Sequence, residues 1–271
     1  MPTRDPLDPK ISLWHFLAYA MRFEREKHGL SLAQCGQIVH AARSTVCNME
    51  AGRLKIHEDQ AKALDKKYGT PRLFELLLWF ARTAHDPDWF RQCTEFEAQA
   101  TLIRIYQGQV IPVPFQTEPY ARALLSMSRE ANVDRALGVR TARQQAIFGR
   151  KDRPLLVVLL DEDALDRPVG GPAVMRAQLQ HLLEVMDDPS VIVRVIPRAT
   201  GEHIGLAGPF QIMNLESREV AYIGAFHGGR LVQDPVEVRE MAVDFELIGA
   251  KASSEDVSRA LIEKLMKGFS A

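Results

Sequence analysis

The sequence predicts two domains, an all-helical head of five helices followed by a larger mixed α+β body. Three observations predict it. Over residues 11–85 apolar positions recur at steps of three and four, the spacing of a helix face. Beyond residue 150 the pattern turns to strands, with "LLVVLL" at 155–160 and an alternating "VIVRVIP" at 191–197. Between these regimes "HDPDWF" at 85–90 interrupts both periods, which places the domains at 1–88 and 89–271. Trp89 and Phe90, at that junction, are expected as interdomain core.

In the head, Leu13, Phe16, Ala20 and Phe23 form the seam of a first helix, and Gly29 ends it. Ser31 is the natural N-cap of a second helix, "SLAQCGQIV". "HAA" makes a turn into a third, short helix beginning in "ARSTVCNMEAGR" at 42–53. A fourth, "HEDQAKALDKKYG", ends at Gly69, and a fifth, "PRLFELLLWFARTAH", is expected to open on Pro71. In the body, helices are expected near 92–107, 117–128 and 134–149, then a buried strand, "PLLVVLL". The helix "GPAVMRAQLQHLLEVM" leads to the strand "VIVRVIP", which together read as one crossover unit with parallel pairing. "PFQIMNL" and "EVAYIGAF" follow closely enough for an antiparallel meander, and two helices, near 235–249 and 254–267, close the chain.

Composition narrows the function. With 46% apolar and 25% charged residues the chain is an ordinary globular sequence. Its three cysteines, Cys35, Cys47 and Cys93, have no metal spacing and suit a reducing compartment. The opening "MPTRDPLDPK" is unlike a signal peptide, and no apolar run approaches the roughly 20 residues of a membrane span. A cytoplasmic protein with no membrane contact is expected. Residues 1–85 hold 13 basic and 9 acidic side chains, leaving 21 and 26 for the rest. A mildly basic head on an acidic body suits a phosphate-facing head.

The third helix has a division of labour fit for reading DNA. Val46 and Met49 would face the core, while Arg43, Ser44, Thr45 and Asn48 would face outward. Arginine pairs bidentately with guanine, asparagine with adenine, and the hydroxyls serve base or phosphate. Arg53 and Lys55 would meet phosphates. An ordinary solvated helix has a similar polar face, so the pattern alone leaves both readings open.

"GLSLAQCGQIVHAARSTVCNMEAGR" resembles the helix-turn-helix of the lambda-repressor-like, or XRE, family, with Ser31, Val46, Glu50 and Gly52 in its spacing. The resemblance implies that Arg43, Ser44 and Asn48 read bases, that Gln37 touches the backbone, and that Arg25 and Glu50 form an internal ion pair. Three positions depart from the family pattern. Leu32 replaces a phosphate-binding Gln, His40 replaces a turn Gly, and Ala42 replaces a Ser or Thr cap at a cost of about 1 kcal/mol. Further on, "VIPVPFQTEPYARALL", "LGVRTARQQAIF", "LLDEDALDRPVGGPAVMRAQLQHLLE", "VIVRVIPRATGEHIGLAGPFQIMNL" and "DPVEV" follow in order. Together they are similar to the C-terminal domain of unknown function in actinobacterial XRE-type regulators, the WhiJ-like and antitoxin-like group. Val113, Pro114 and Gly224 depart from that pattern. The resemblance implies transcriptional regulation, often beside a small partner protein encoded next to the regulator.

Other chemistry reads as structural. Asp161 ends a strand, and Glu162 and Asp163 cap or solvate the turn after it, rather than forming an acid/base pair. "VGGP" at 169–172 reads as a tight turn and His181 as a core-edge histidine. A ligand or partner site is conceivable around Arg140, Arg143 and Gln144 on one helix face, with His203 in the long loop "PRATGEHIGLAGPF"; a surface salt-bridge face is the plainer reading of the arginines. No catalytic residue, metal or cofactor is expected, and no nucleotide-binding or hydrolase motif is present.

The expected function is sequence-specific regulation through double-stranded operator DNA, with an effector- or partner-responsive body. A homodimer is expected because one short recognition helix makes few base contacts. The alternatives are an antitoxin-like module that holds the small neighbouring protein with weak DNA binding, and a receptor for a small molecule.

Overall fold

The computed structural model describes residues 7–10, 12–83, 89–127, 132–224 and 229–269. The chain divides into two compact units, Met1–Trp89 and Phe90–Ala271. Residues 85–88 of the "HDPDWF" break, and the side chains of Trp89 and Phe90, lie outside the described residues.

The first unit is helical. Ser12 caps α1 (Leu13–Lys27), its hydroxyl accepting from the His15 N–H. Gly29, at φ +64°, turns the chain, and Ser31 with Gln34 forms a reciprocal capping box on α2 (Leu32–Ile38). A tight turn leads to α3 (Arg43–Glu50), then α4 (Glu58–Tyr68) and α5 (Leu73–Thr83). The expectation that Pro71 opens the fifth helix is corrected: α5 begins at Leu73, after Arg72 at φ +61°. The cap comes instead from buried Asp65 on α4, whose carboxylate accepts from the N–H groups of Phe74 and Glu75 at 3.0 Å each and from Thr70 Oγ1 at 2.6 Å. Met21, Val46, Leu64, Phe74 and Leu78 share one core, so every helix but α2 supplies one of its central residues, and α2 adds Cys35.

The second unit is mixed. The helix expected over 92–107 is two elements, α6 (Trp89–Glu97) and the strand β1 (Leu102–Gln107). Then come α7 (Glu118–Met127), α8 (Val133–Phe148), β2 (Leu155–Asp161), a short α9 (Glu162–Asp166), α10 (Pro172–Val185) and β3 (Val191–Ile196). The hairpin strands β4 (Phe210–Asn214), β5 (Glu219–Ile223) and β6 (Arg230–Val232) precede α11 (Pro235–Gly249) and α12 (Glu255–Gly268). One six-stranded sheet has the order β3-β2-β1-β4-β5-β6. β1, β2 and β3 pair in parallel, and β4, β5 and β6 extend the sheet antiparallel from β1.

β1 therefore lies inside the sheet, with Ile103 opposite Leu156 on one side and Met213 on the other. Its strand character comes from partners far along the chain, which override a short local pattern that continues the helix before it. One sheet face buries Tyr106, Leu159, Ile212 and Ala221 against Val238, Met241, Phe245 and Ile248 of α11. No helix among the described residues is long and apolar enough to cross a membrane.

Candidate functional site

The site is built around α3. Gly36 of α2 lets the following turn fold back tightly: its carbonyl accepts from the Ala41 N–H at 2.8 Å, and a Cβ there would lie 2.4 Å from the Ala41 oxygen. His40 takes φ +51° in this turn, a left-handed conformation that costs a non-glycine residue about 1 kcal/mol. Ala42 then starts α3 with no side-chain cap.

Two sides of α3 differ sharply. Val46 and Met49 are 0% and 3% exposed and anchor the helix in the core. Glu50 is buried beside them and accepts from Arg25 Nε at 2.6 Å and Nη2 at 2.8 Å. Arg25 Nη1 also donates to the Leu30 carbonyl at 3.0 Å, so one guanidinium ties α1, the turn before α2 and α3 together. The Glu50 hydrogen bond raises the Arg25 pKa above its ordinary value. On the other side, Arg43, Ser44 and Cys47 are exposed, and Thr45 and Asn48 are half-buried. Gln37 of α2 is exposed as well.

Past α3, Gly52 at φ +69° reverses the chain. The N–H groups of Arg53 and Leu54 return to the Asn48 carbonyl at 2.9 and 3.2 Å. Arg53 Nη1 donates to Asn48 Oδ1 at 3.1 Å, and Lys55 Nζ lies 4.4 Å from the centre of the Trp14 ring. Arg53 is exposed and Lys55 half-buried. Gln60 is a residue that local pattern does not reveal. It accepts from the His57 N–H at 2.9 Å and donates to the Val39 carbonyl at 3.1 Å, fastening the end of α2 to α4.

In the second unit the candidate ligand residues meet the protein's own groups, and the salt bridge expected of the arginines is made by Arg143 with a buried partner rather than on the surface. Arg143 makes a two-pronged ion pair with Glu97, which is 1% exposed and also accepts from Gln211 Nε2 at 2.9 Å. Arg140 donates to Gln116 Oε1 at 2.7 Å, and Gln144 to the carbonyls of Val113 and Gln116 at 2.8 Å each. Gln178 completes the clamp, accepting from the Thr117 N–H and donating to the Phe115 carbonyl, both at 2.7 Å. Gln144 and Gln178 satisfy backbone groups of "IPVPFQT" that its own short turn leaves open, two of its residues being prolines without an N–H. The motif in this stretch is thus explained by folding.

His203 belongs to a different cluster. Its Nε2 stands 3.2 Å from Asp161 Oδ1, and Tyr106 donates to Asp161 Oδ2 at 2.8 Å. A Cβ on Gly108 would strike this carboxylate at 2.7 Å, and one on Gly205 would strike the Tyr106 ring at 2.4 Å, so the cluster is closed over by backbone. Burial raises the Asp161 pKa against the opposing Tyr106 hydrogen bond, and raises that of Tyr106 too. Asp161 ends β2, as expected, and its carboxylate is a buried partner of His203. Glu162 accepts from the Arg198 N–H at 2.8 Å, and Asp163 and Asp166 pair with the Arg198 guanidinium.

A helical first unit, with five helices among its described residues, and a mixed α/β second unit built on a six-stranded sheet define the class of protein. Residues 90–264 match the family described as a domain of unknown function, DUF5753, and the chain belongs to that family. No curated protein and no solved structure matches the chain.

Proposed function

We infer that the chain is a sequence-specific DNA-binding regulator. In this reading α2 and α3 act as a helix-turn-helix, and the outer side of α3 enters the major groove of an operator. The observation that carries the reading is the division of α3 itself. Arg43, Ser44, Thr45 and Asn48 stand on a helix fixed from behind by Val46, Met49 and the Arg25–Glu50 pair. A rigid helix presenting one guanidinium, two hydroxyls and one amide has the donors and acceptors that base edges require. Gln37 lies on α2 where a backbone contact would fall. The second unit is read as the effector- or partner-responsive part of a homodimer.

Enrichment of duplexes from a random-sequence library on the full chain tests this. One recurrent motif is expected, and Arg43→Ala and Asn48→Ala each relax preference at a defined base pair by roughly tenfold. A library that returns no motif rejects the reading.

The second reading is an antitoxin-like module that holds a small protein encoded nearby. The observation favouring it is an exposed aromatic ladder on α1, where Phe16 stacks on Tyr19 and Tyr19 on Phe23 at 6.4 and 6.2 Å between ring centres. Loss of partner binding in Tyr19→Ser, with the selected motif unchanged, favours this role over DNA reading.

A further inference from the structure

Arg53 sits outside α3 and was expected to meet a phosphate. Its geometry also couples it to Asn48. Gly52, in the left-handed region, bends the chain back so that the main chain of Arg53 and Leu54 is hydrogen-bonded to the Asn48 carbonyl. That return delivers the guanidinium to the side of Asn48, where Nη1 donates to Oδ1 at 3.1 Å. An asparagine amide with no fixed partner can turn over and present its oxygen and nitrogen in either sense. Arg53 removes that freedom by holding the oxygen end.

The bond does not consume the reading edge. An amide oxygen accepts two hydrogen bonds, so one from Arg53 leaves the second lone pair and both Nδ2 hydrogens for a base. Adenine is read through that combination, an acceptor for its N6–H and a donor for its N7. Fixing the amide beforehand lowers the ordering cost of binding. We propose that Arg53 is a positioning residue that orients Asn48 for base recognition, so that base preference at the Asn48 position depends on Arg53. This rests on the DNA-reading function argued above. Lysine in place of arginine keeps the positive charge near the phosphates, but its ammonium turns freely on a flexible stem and lacks the rigid plane that sets Nη1 against Asn48 Oδ1.

The test uses the full chain, a fluorescein-labelled duplex carrying the enriched motif, and a panel with each base pair replaced in turn. Dissociation constants by anisotropy are compared for the unaltered chain, Arg53→Lys, Arg53→Ala, Asn48→Ala and the Arg53→Lys/Asn48→Ala pair. Arg53→Lys is expected to lose about tenfold discrimination at the same base pair that Asn48→Ala loses, and to keep the salt slope. The double variant is expected to discriminate no worse than Asn48→Ala alone, because both changes remove one interaction. Full discrimination in Arg53→Lys overturns the proposal. So does an Arg53→Ala chain that weakens on every duplex equally with a shallower salt slope, which marks a phosphate contact only. Failure of the unaltered chain to enrich any motif overturns the DNA reading itself, and this inference with it. Arg53 is exposed, so unchanged circular dichroism melts accompany Arg53→Lys and Arg53→Ala.

Discussion

The outer side of α3 and the interior of the second unit both carry arginines and amides, yet they use them in opposite ways. Arg43 and Ser44 stand in solvent, with a fixed helix beneath them. Arg143, Gln144 and Gln178 are spent on the protein's own carboxylate and carbonyls. The difference teaches that residue type does not mark a binding face. A guanidinium with a buried carboxylate partner is part of the architecture, and one held outward on a rigid helix is available to something else.

The largest expected effect tests the inward half of this comparison. Arg143→Ala leaves Glu97 buried without its cation, which is expected to cost about 3–5 kcal/mol in chemical denaturation of the second unit. Replacing both, as Arg143→Met with Glu97→Leu, is expected to recover most of that loss, since the penalty belongs to the orphaned charge. A loss below 1 kcal/mol for Arg143→Ala would show that the pair is not a structural centre.

Cys93 lies in the same cluster, beneath Gln211 at 2.9 Å. Burial, and then the nearby Glu97 charge, pushes its thiol up to about 12 from the 9.0 of a free thiol. The neutral thiol is therefore favoured in the folded state, and its contribution is complete below pH 9.0 and lost as pH rises toward about 12. Thermal melts are expected to fall steeply across that window, and Cys93→Ala to flatten the fall. An equal slope in both chains would detach the alkaline transition from this cluster.

A smaller effect sharpens the outward half. His40→Gly relieves a left-handed histidine in the turn before α3 and is expected to stabilise the first unit by about 1 kcal/mol. Smallest of all, Arg43→Ala is expected to change stability by less than about 0.5 kcal/mol, because the side chain is exposed. A large loss there would make Arg43 architectural, like Arg143, and erase the contrast.

Much of this was legible in the residues and some was not, for physical reasons. β2, α10 and β3 are long enough, and apolar enough, to declare themselves, and their parallel pairing follows from the crossover between them. β1 is short and adjoins a helix, and its identity depends on partners in β2 and β4. The inward side of α3 follows from the spacing of Val46 and Met49, while the Arg25–Glu50 pair was implied by resemblance and has no local signature. Asp65 as the cap of α5, Gln60 as the fastening of α2 and Glu97 as the partner of Arg143 all act across distant positions, where periodicity carries no information. The same holds for Asp161 and His203, whose meeting depends on how the loop after β3 folds over the sheet.

The central claim is that the outer side of α3 reads a major groove. Dimethyl sulfate probing of the enriched duplex tests it most directly, because the reagent marks guanine N7 in the major groove and adenine N3 in the minor groove. Bound full-length chain is expected to protect at least one guanine N7, Arg43→Ala to lose that protection at an otherwise occupied site, and adenine N3 reactivity beneath the helix to stay unchanged. Protection confined to adenine N3, or guanine N7 protection that survives Arg43→Ala, would contradict it.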